Sequence, residues 1–211
     1  MKESKGAVML SCLNIIGQLV LASILWVICS LPVFTLGASS CALYYAVVKA
    51  LRRDRGSLIP CFFSAFRDNL GQCFFVNVFY MVIFALPAYL AIPHLTNLEQ
   101  GLSSAFYVIV GVCFLFMLPL CVTYPVISRF YYKGISLAKF LLLLIGRHFM
   151  VCFSSLLLVA AGIVIVMNNA AALMFVPGGI AYVQCLMLEG VFKKYSDKDQ
   201  GDYDLWYGEV D

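Results

Sequence analysis

Charge is what this 211-residue chain has least of: Asp, Glu, Lys and Arg make up 12% of it, against about 25% in an ordinary soluble domain. Histidine is scarcer still, with His94 and His148 the two in the chain. These shortages exclude a good deal. A water-soluble fold of this size could not hide an apolar content of 63%. The chain has no H-E-x-x-H, no Ser/His/Asp set, no Gly-rich phosphate loop and no carboxylate pair inside an apolar run. Catalysis is therefore not expected. None of the nine cysteines forms a C-x2-C pair. Most lie in apolar runs, where a thiol packs as a small hydrophobe, so no metal, cofactor or nucleic-acid partner is expected either.

What the chain has is apolar length, with a mean hydropathy of +0.95. A spanning helix needs about 20 apolar residues for a ~30 Å hydrocarbon core. Candidate spans are residues 7–30, 37–51, 71–92, 103–127, 149–167 and 170–191. The predicted fold is an all-α, polytopic transmembrane bundle with six crossings, occupying 1–192, followed by a tail at 193–211. The first apolar run is far longer than the ~7–15 residues of a cleavable leader. "GASSC" has Ala38, not leucine, three before Cys41, so the run reads as an uncleaved helix. The second span is short: fifteen residues at 1.5 Å cover about 22 Å.

The fourteen Lys and Arg fall at 2 and 5; 49, 52, 53, 55 and 67; 129, 133, 139 and 147; and 193, 194 and 198. With six crossings, all of these groups lie on the side of the N-terminus. The connections left on the other side, 31–37, 93–102 and 167–170, contain neither Lys nor Arg. That asymmetry places both termini in the cytoplasm. Of the acids, only Glu189 approaches a span, near the cytoplasmic end of the sixth. The bundle is thus expected to carry no buried charge, and ion-coupled transport is disfavoured.

Two stretches have amphipathic helical spacing. In "SLIPCFFSAFRDNL", Leu58, Phe62 and Phe66 recur opposite Arg67, Asp68 and Asn69; "ISLAKFLLLLIGRHF" precedes the fifth span. Both suit helices lying in the membrane interface. Phe63, Phe66, Arg67, Asn69 and Arg147 are the expected interfacial or partner contacts. The tail adds Trp206 and Tyr207, which stand among six acidic residues. It is either a solvated segment or a docking segment for a cytoplasmic partner.

"SLPVFTLGASSCALYY", residues 30–45, interrupts the apolar sequence. Pro32 cannot continue a regular helix. Thr35 and Ser39 can satisfy freed backbone groups, and Gly37 permits a close helix crossing. The stretch, with Tyr44 at its end, reads as an outer-side turn and packing seam, or as a discontinuous helix lining a substrate site. Residues 118–132, "LPLCVTYPVISRFYY", echo it with Leu-Pro and Tyr-Tyr at the same separation. The echo suggests a duplication and a second use of the same helix-breaking device.

Trp26, then Leu31, Pro32, Thr35 and Gly37, then Ala42, Leu43 and Tyr44, then Phe63, Phe66, Arg67 and Asn69 form a combined string over about 25–75. It resembles the signature of the YesL-like family of bacterial integral membrane proteins, a family of unknown function. The resemblance implies a polytopic membrane protein often encoded beside carbohydrate-uptake genes, including ABC sugar importers, and implies no catalytic residues. Its partners would be lipid and other membrane subunits, an ABC permease or ATPase. The expected role is an auxiliary or assembly subunit of such an importer; the alternative is an autonomous sugar transporter or channel.

The topology is checked by cysteine reporters in a background without the native thiols. A membrane-impermeant maleimide added to intact cells should label Asn97→Cys and leave Asp54→Cys unlabelled. Labelling at 54 would rule out the six-crossing arrangement.

Overall fold

The computed structural model describes residues 5–96, 104–130, 132 and 134–196, so the tail with Trp206 and Tyr207 lies outside the described residues. Seven α-helices follow one another: α1 Lys5–Ser30, α2 Leu36–Ala46, α3 Leu58–Thr96, α4 Ser104–Arg129, α5 Ile135–Arg147, α6 Phe149–Asn168 and α7 Val176–Phe192. A 3-10 turn, Val33–Thr35, joins α1 to α2, and a wider π-helical segment, Val47–Arg52, continues α2. Among the described residues, five segments are long and apolar enough to cross a membrane: Leu13–Ser30, Val33–Arg52, Leu58–Leu90, Tyr107–Arg129 and Phe149–Asn168. The chain is a multi-pass helical membrane protein. α7 is shorter, at 17 residues, or about 25 Å.

The short second span is the centre of the bundle. Ala42, Ala46 and Ala50, four residues apart, are buried with Ala22 of α1, Leu58, Phe62 and Ala65 of α3, and Ala181 of α7. Small side chains at this spacing let helix backbones approach where the surrounding lipid is as apolar as the helix. Cys41, Tyr44 and Val48 enter a second cluster with Val122 and Val126 of α4, Leu144 of α5 and Leu188 and Phe192 of α7. α2 is thus enclosed on both sides, while the outer helices expose apolar side chains such as Phe75, Val82, Leu115 and Met167.

Three expectations about the helices require correction. The stretch 57–70 is not a separate interfacial helix: it is the first third of α3, which runs unbroken for 39 residues. Its apolar stripe, Leu58, Phe62 and Ala65, is buried against α2, and Pro60 stands in the first turn, where proline is tolerated. The span expected at 170–191 is broken. Asn169 accepts from the Ala171 amide at 3.0 Å and caps a 3-10 turn, Ala170–Met174, and α7 restarts at Val176 with Pro177 in its first turn.

The echo does not break its helix: α4 continues through Pro119 and Pro125. Laid on the first copy, Val122 occupies the place of Thr35, so the hydroxyl that fastens the first break is absent. The first break packs beside the middle of α3. Asn77 Nδ2 donates to the Val33 carbonyl at 2.9 Å. α3 runs on from there to Thr96, roughly 28 Å further at 1.5 Å per residue. The tip of the reversal is apolar and exposed at Leu31, Val33 and Phe34.

α1 and α7 touch backbone to backbone at Gly178, whose amide donates to Ser23 Oγ at 2.9 Å. A Cβ there would stand 2.5 Å from the Leu19 carbonyl oxygen, whereas one on Gly179 would meet nothing within 4 Å. Gly178→Ala should therefore lower stability by about 1–3 kcal/mol, while Gly179→Ala stays close to wild type. Unfolding in detergent measures both.

Candidate functional site

The break is held by side chains the sequence placed within reach. The Thr35 hydroxyl lies 2.6 Å from the Cys29 carbonyl and 2.7 Å from that of Pro32. The Thr35 amide also donates to the Pro32 carbonyl, at 2.8 Å. Ser39 and Ser40 donate to the Leu36 carbonyl, and Trp26 Nε1 donates to Ser40 Oγ at 3.1 Å, fastening α1 to α2. Backbone groups freed by a broken helix must be paired inside the protein when no water is near. The Thr35 hydroxyl and Asn77 do so, while Ser39 and Ser40 add bonds to a carbonyl already inside α2.

Gly37 provides the close crossing. A Cβ on it would stand 2.7 Å from Cε1 of Tyr124 and 3.2 Å from the Cys73 carbonyl. In the echo alignment Tyr124 occupies the place of Gly37, so the two copies differ where they pack together. Tyr124 donates to Asn77 Oδ1 at 3.3 Å, and the Tyr80 and Thr123 hydroxyls are 3.0 Å apart.

Further along α2 lies a charged centre. Arg129, in the last turn of α4, and Glu189, in α7, form an ion pair at 3.7 Å with side chains 0% and 1% exposed. The Tyr44 hydroxyl donates to Glu189 Oε1 at 3.3 Å. The π-helical segment brings Arg52 to α7, where Nη1 donates to the Cys185 carbonyl at 2.9 Å. The expectation of an uncharged interior is therefore wrong. Glu189 had been assigned to a helix end and Arg129 to a cytoplasmic connection, but the packing of α2, α4 and α7 encloses both. A lone acid in "CLMLEGVF" was the available signal, since an ionised group in an apolar run needs a partner. The identity of that partner, sixty residues away, had no local signature.

The other expected residues are dispersed. Phe63 and Arg67 lie on the exposed side of α3. Phe66 is half-buried and stacks on Phe62 at 6.3 Å, so it packs the helix against the core. Asn69 donates to the Ala65 carbonyl one turn back. Arg147 lines a small cavity with His148, Lys194 and Tyr195, apart from the ion pair. Pro32, Thr35, Gly37, Ser39 and Tyr44 lie along one continuous path from the break to Glu189.

That path falls largely within a recognised segment. Residues 19–89 match the model of a family described as "Protein of unknown function, DUF624". The match spans about a third of the chain: the second half of α1, all of α2 and most of α3. It includes Tyr44, Arg52 and Asn77 but neither Arg129 nor Glu189. No curated protein matches the chain. No solved structure matches it either.

Removing one member of an enclosed pair leaves the other charge unpaired, at a cost of about 3–5 kcal/mol, whereas replacing both with apolar groups is often neutral. Glu189→Leu and Arg129→Met should each unfold far more readily in detergent than wild type. The double variant should recover most of the loss. Losses that simply add would show that the two charges are not coupled.

Proposed function

We propose that this chain is an auxiliary, non-catalytic subunit of a bacterial ABC-type carbohydrate import system. In this reading it sits in the cytoplasmic membrane with both termini inside and docks on the permease or the ATPase. The observation that supports it most is the use to which the interior charges are put. Arg129 and Glu189 are enclosed and face each other, and Arg52 is bonded to the α7 backbone. Groups engaged in this way hold helices together. The outward surfaces of α3 and α4, with Phe75 at 74% and Leu115 at 69% exposed, provide apolar area for lipid or a membrane partner. The resemblance to the YesL-like family supplies the carbohydrate association and the expectation of ABC-type partners.

One observation favours a second reading, an autonomous transporter. An intramembrane Glu–Arg pair with a tyrosine on the carboxylate, beside a π-helical segment, is the kind of polar centre found along substrate paths. The two readings separate in one pair of measurements. A tagged chain purified in mild detergent should carry permease and ATPase subunits in comparable amounts. The same chain alone in liposomes should show no sugar uptake. Isolation of the chain by itself, with substrate-specific uptake, would reverse the assignment.

A further inference from the structure

A second polar site lies where α5, α6 and the end of α7 meet. Arg147 ends α5, His148 stands between α5 and α6, and Lys194 and Tyr195 follow α7. Together they line a cavity of about 120 Å³. Among the described residues its lining contains three basic side chains and a phenol, and no carboxylate. Two of these groups are buried and lack a protein partner: Nε2 of His148 and the hydroxyl of Tyr195 make no hydrogen bond among the described residues. Buried polar atoms are nearly always paired, so two at one small cavity call for a hydrogen-bonding partner there, and the basic side chains beside them favour an anionic one.

The surroundings fix the arrangement. The His148 and Tyr195 rings meet edge to face at 5.9 Å, and Tyr195 packs against Phe140 in the same way at 5.6 Å. The His148 amide donates to the Leu144 carbonyl at 2.9 Å, while its own carbonyl accepts from Val151 and Cys152. His148 is thus held between the end of α5 and the start of α6, with the charges of Arg147 and Lys194 beside it. Beside the cavity the surface turns apolar: Leu142, Leu143, Phe149 and Met150 are each at least half exposed.

We infer that this cavity binds the phosphate of an anionic phospholipid. The headgroup phosphate accepts from the Tyr195 hydroxyl and from Nε2–H of His148, with Arg147 and Lys194 neutralising its charge. The acyl chains lie along Leu142, Leu143 and Met150. A soluble phosphate would satisfy the same donors but would leave that apolar border uncovered. The inference is independent of the transport role proposed above, because it concerns the lipid environment of the chain and not its protein partners.

Native mass spectrometry of the whole detergent-purified protein tests it, with phosphatidylglycerol and phosphatidylcholine titrated in turn. Wild type should retain phosphatidylglycerol in preference to phosphatidylcholine. Arg147→Gln/Lys194→Gln should weaken retention by about tenfold, in keeping with the size of surface lysine and arginine attractions to anionic lipid. Tyr195→Phe, which keeps the ring packing, should weaken it by a few-fold. Lys139→Gln, which removes a charge from α5 away from the cavity, should leave retention unchanged. Equal loss for Lys139→Gln, or no preference between the two lipids, would overturn the site. So would displacement of phosphatidylglycerol by inorganic phosphate at millimolar concentration, since the cavity would then take a soluble anion.

Discussion

Two opposite charges closed off from water, Arg129 and Glu189, hold the basic end of this bundle together. Neither charge is tolerable there without the other, because the surroundings offer little to replace a hydration shell. Their pairing therefore dictates that α4 and α7 end side by side. It also dictates that α2 passes close enough for Tyr44 to reach the same carboxylate. Arg52 adds a second link between α2 and α7. Three helices from distant parts of the sequence are thereby brought to one point.

The same economy of polar groups governs the break between α1 and α2. A reversal of the chain beside the middle of α3 would leave several carbonyls unpaired in an apolar setting. The Thr35 hydroxyl faces those of Cys29 and Pro32, and Asn77 donates to that of Val33. The exposed side chains at its tip are apolar, which suits contact with hydrocarbon better than contact with water. The reversal is therefore a broken helix with its polar groups turned inward, and α2 fits into the centre because alanines line the side facing α1 and α3.

Much of this was legible in the sequence. The apolar runs located the long helices, since length and hydropathy are local properties. The residues that fasten the break were legible for the same reason: a proline, a threonine three residues on and a glycine can be judged from their own geometry. The continuity of α3 was misread because an amphipathic stripe looks the same whether it faces an interface or a neighbouring helix. The second helix break expected at 118–132 was misread because Leu-Pro and Tyr-Tyr were matched while the threonine that fastens the first break was not.

By itself, then, the sequence determined a multi-pass helical membrane protein, the approximate limits of its long helices apart from the start of α3, and the place where the first apolar run breaks. Each of these depends on residues near one another in the chain. The tertiary structure alone decided that α2 is the core, that Arg129 and Glu189 face each other, and that Arg147, His148, Lys194 and Tyr195 surround one cavity. Burial and charge pairing are properties of packed neighbours, and those neighbours lie tens of residues apart until the helices assemble.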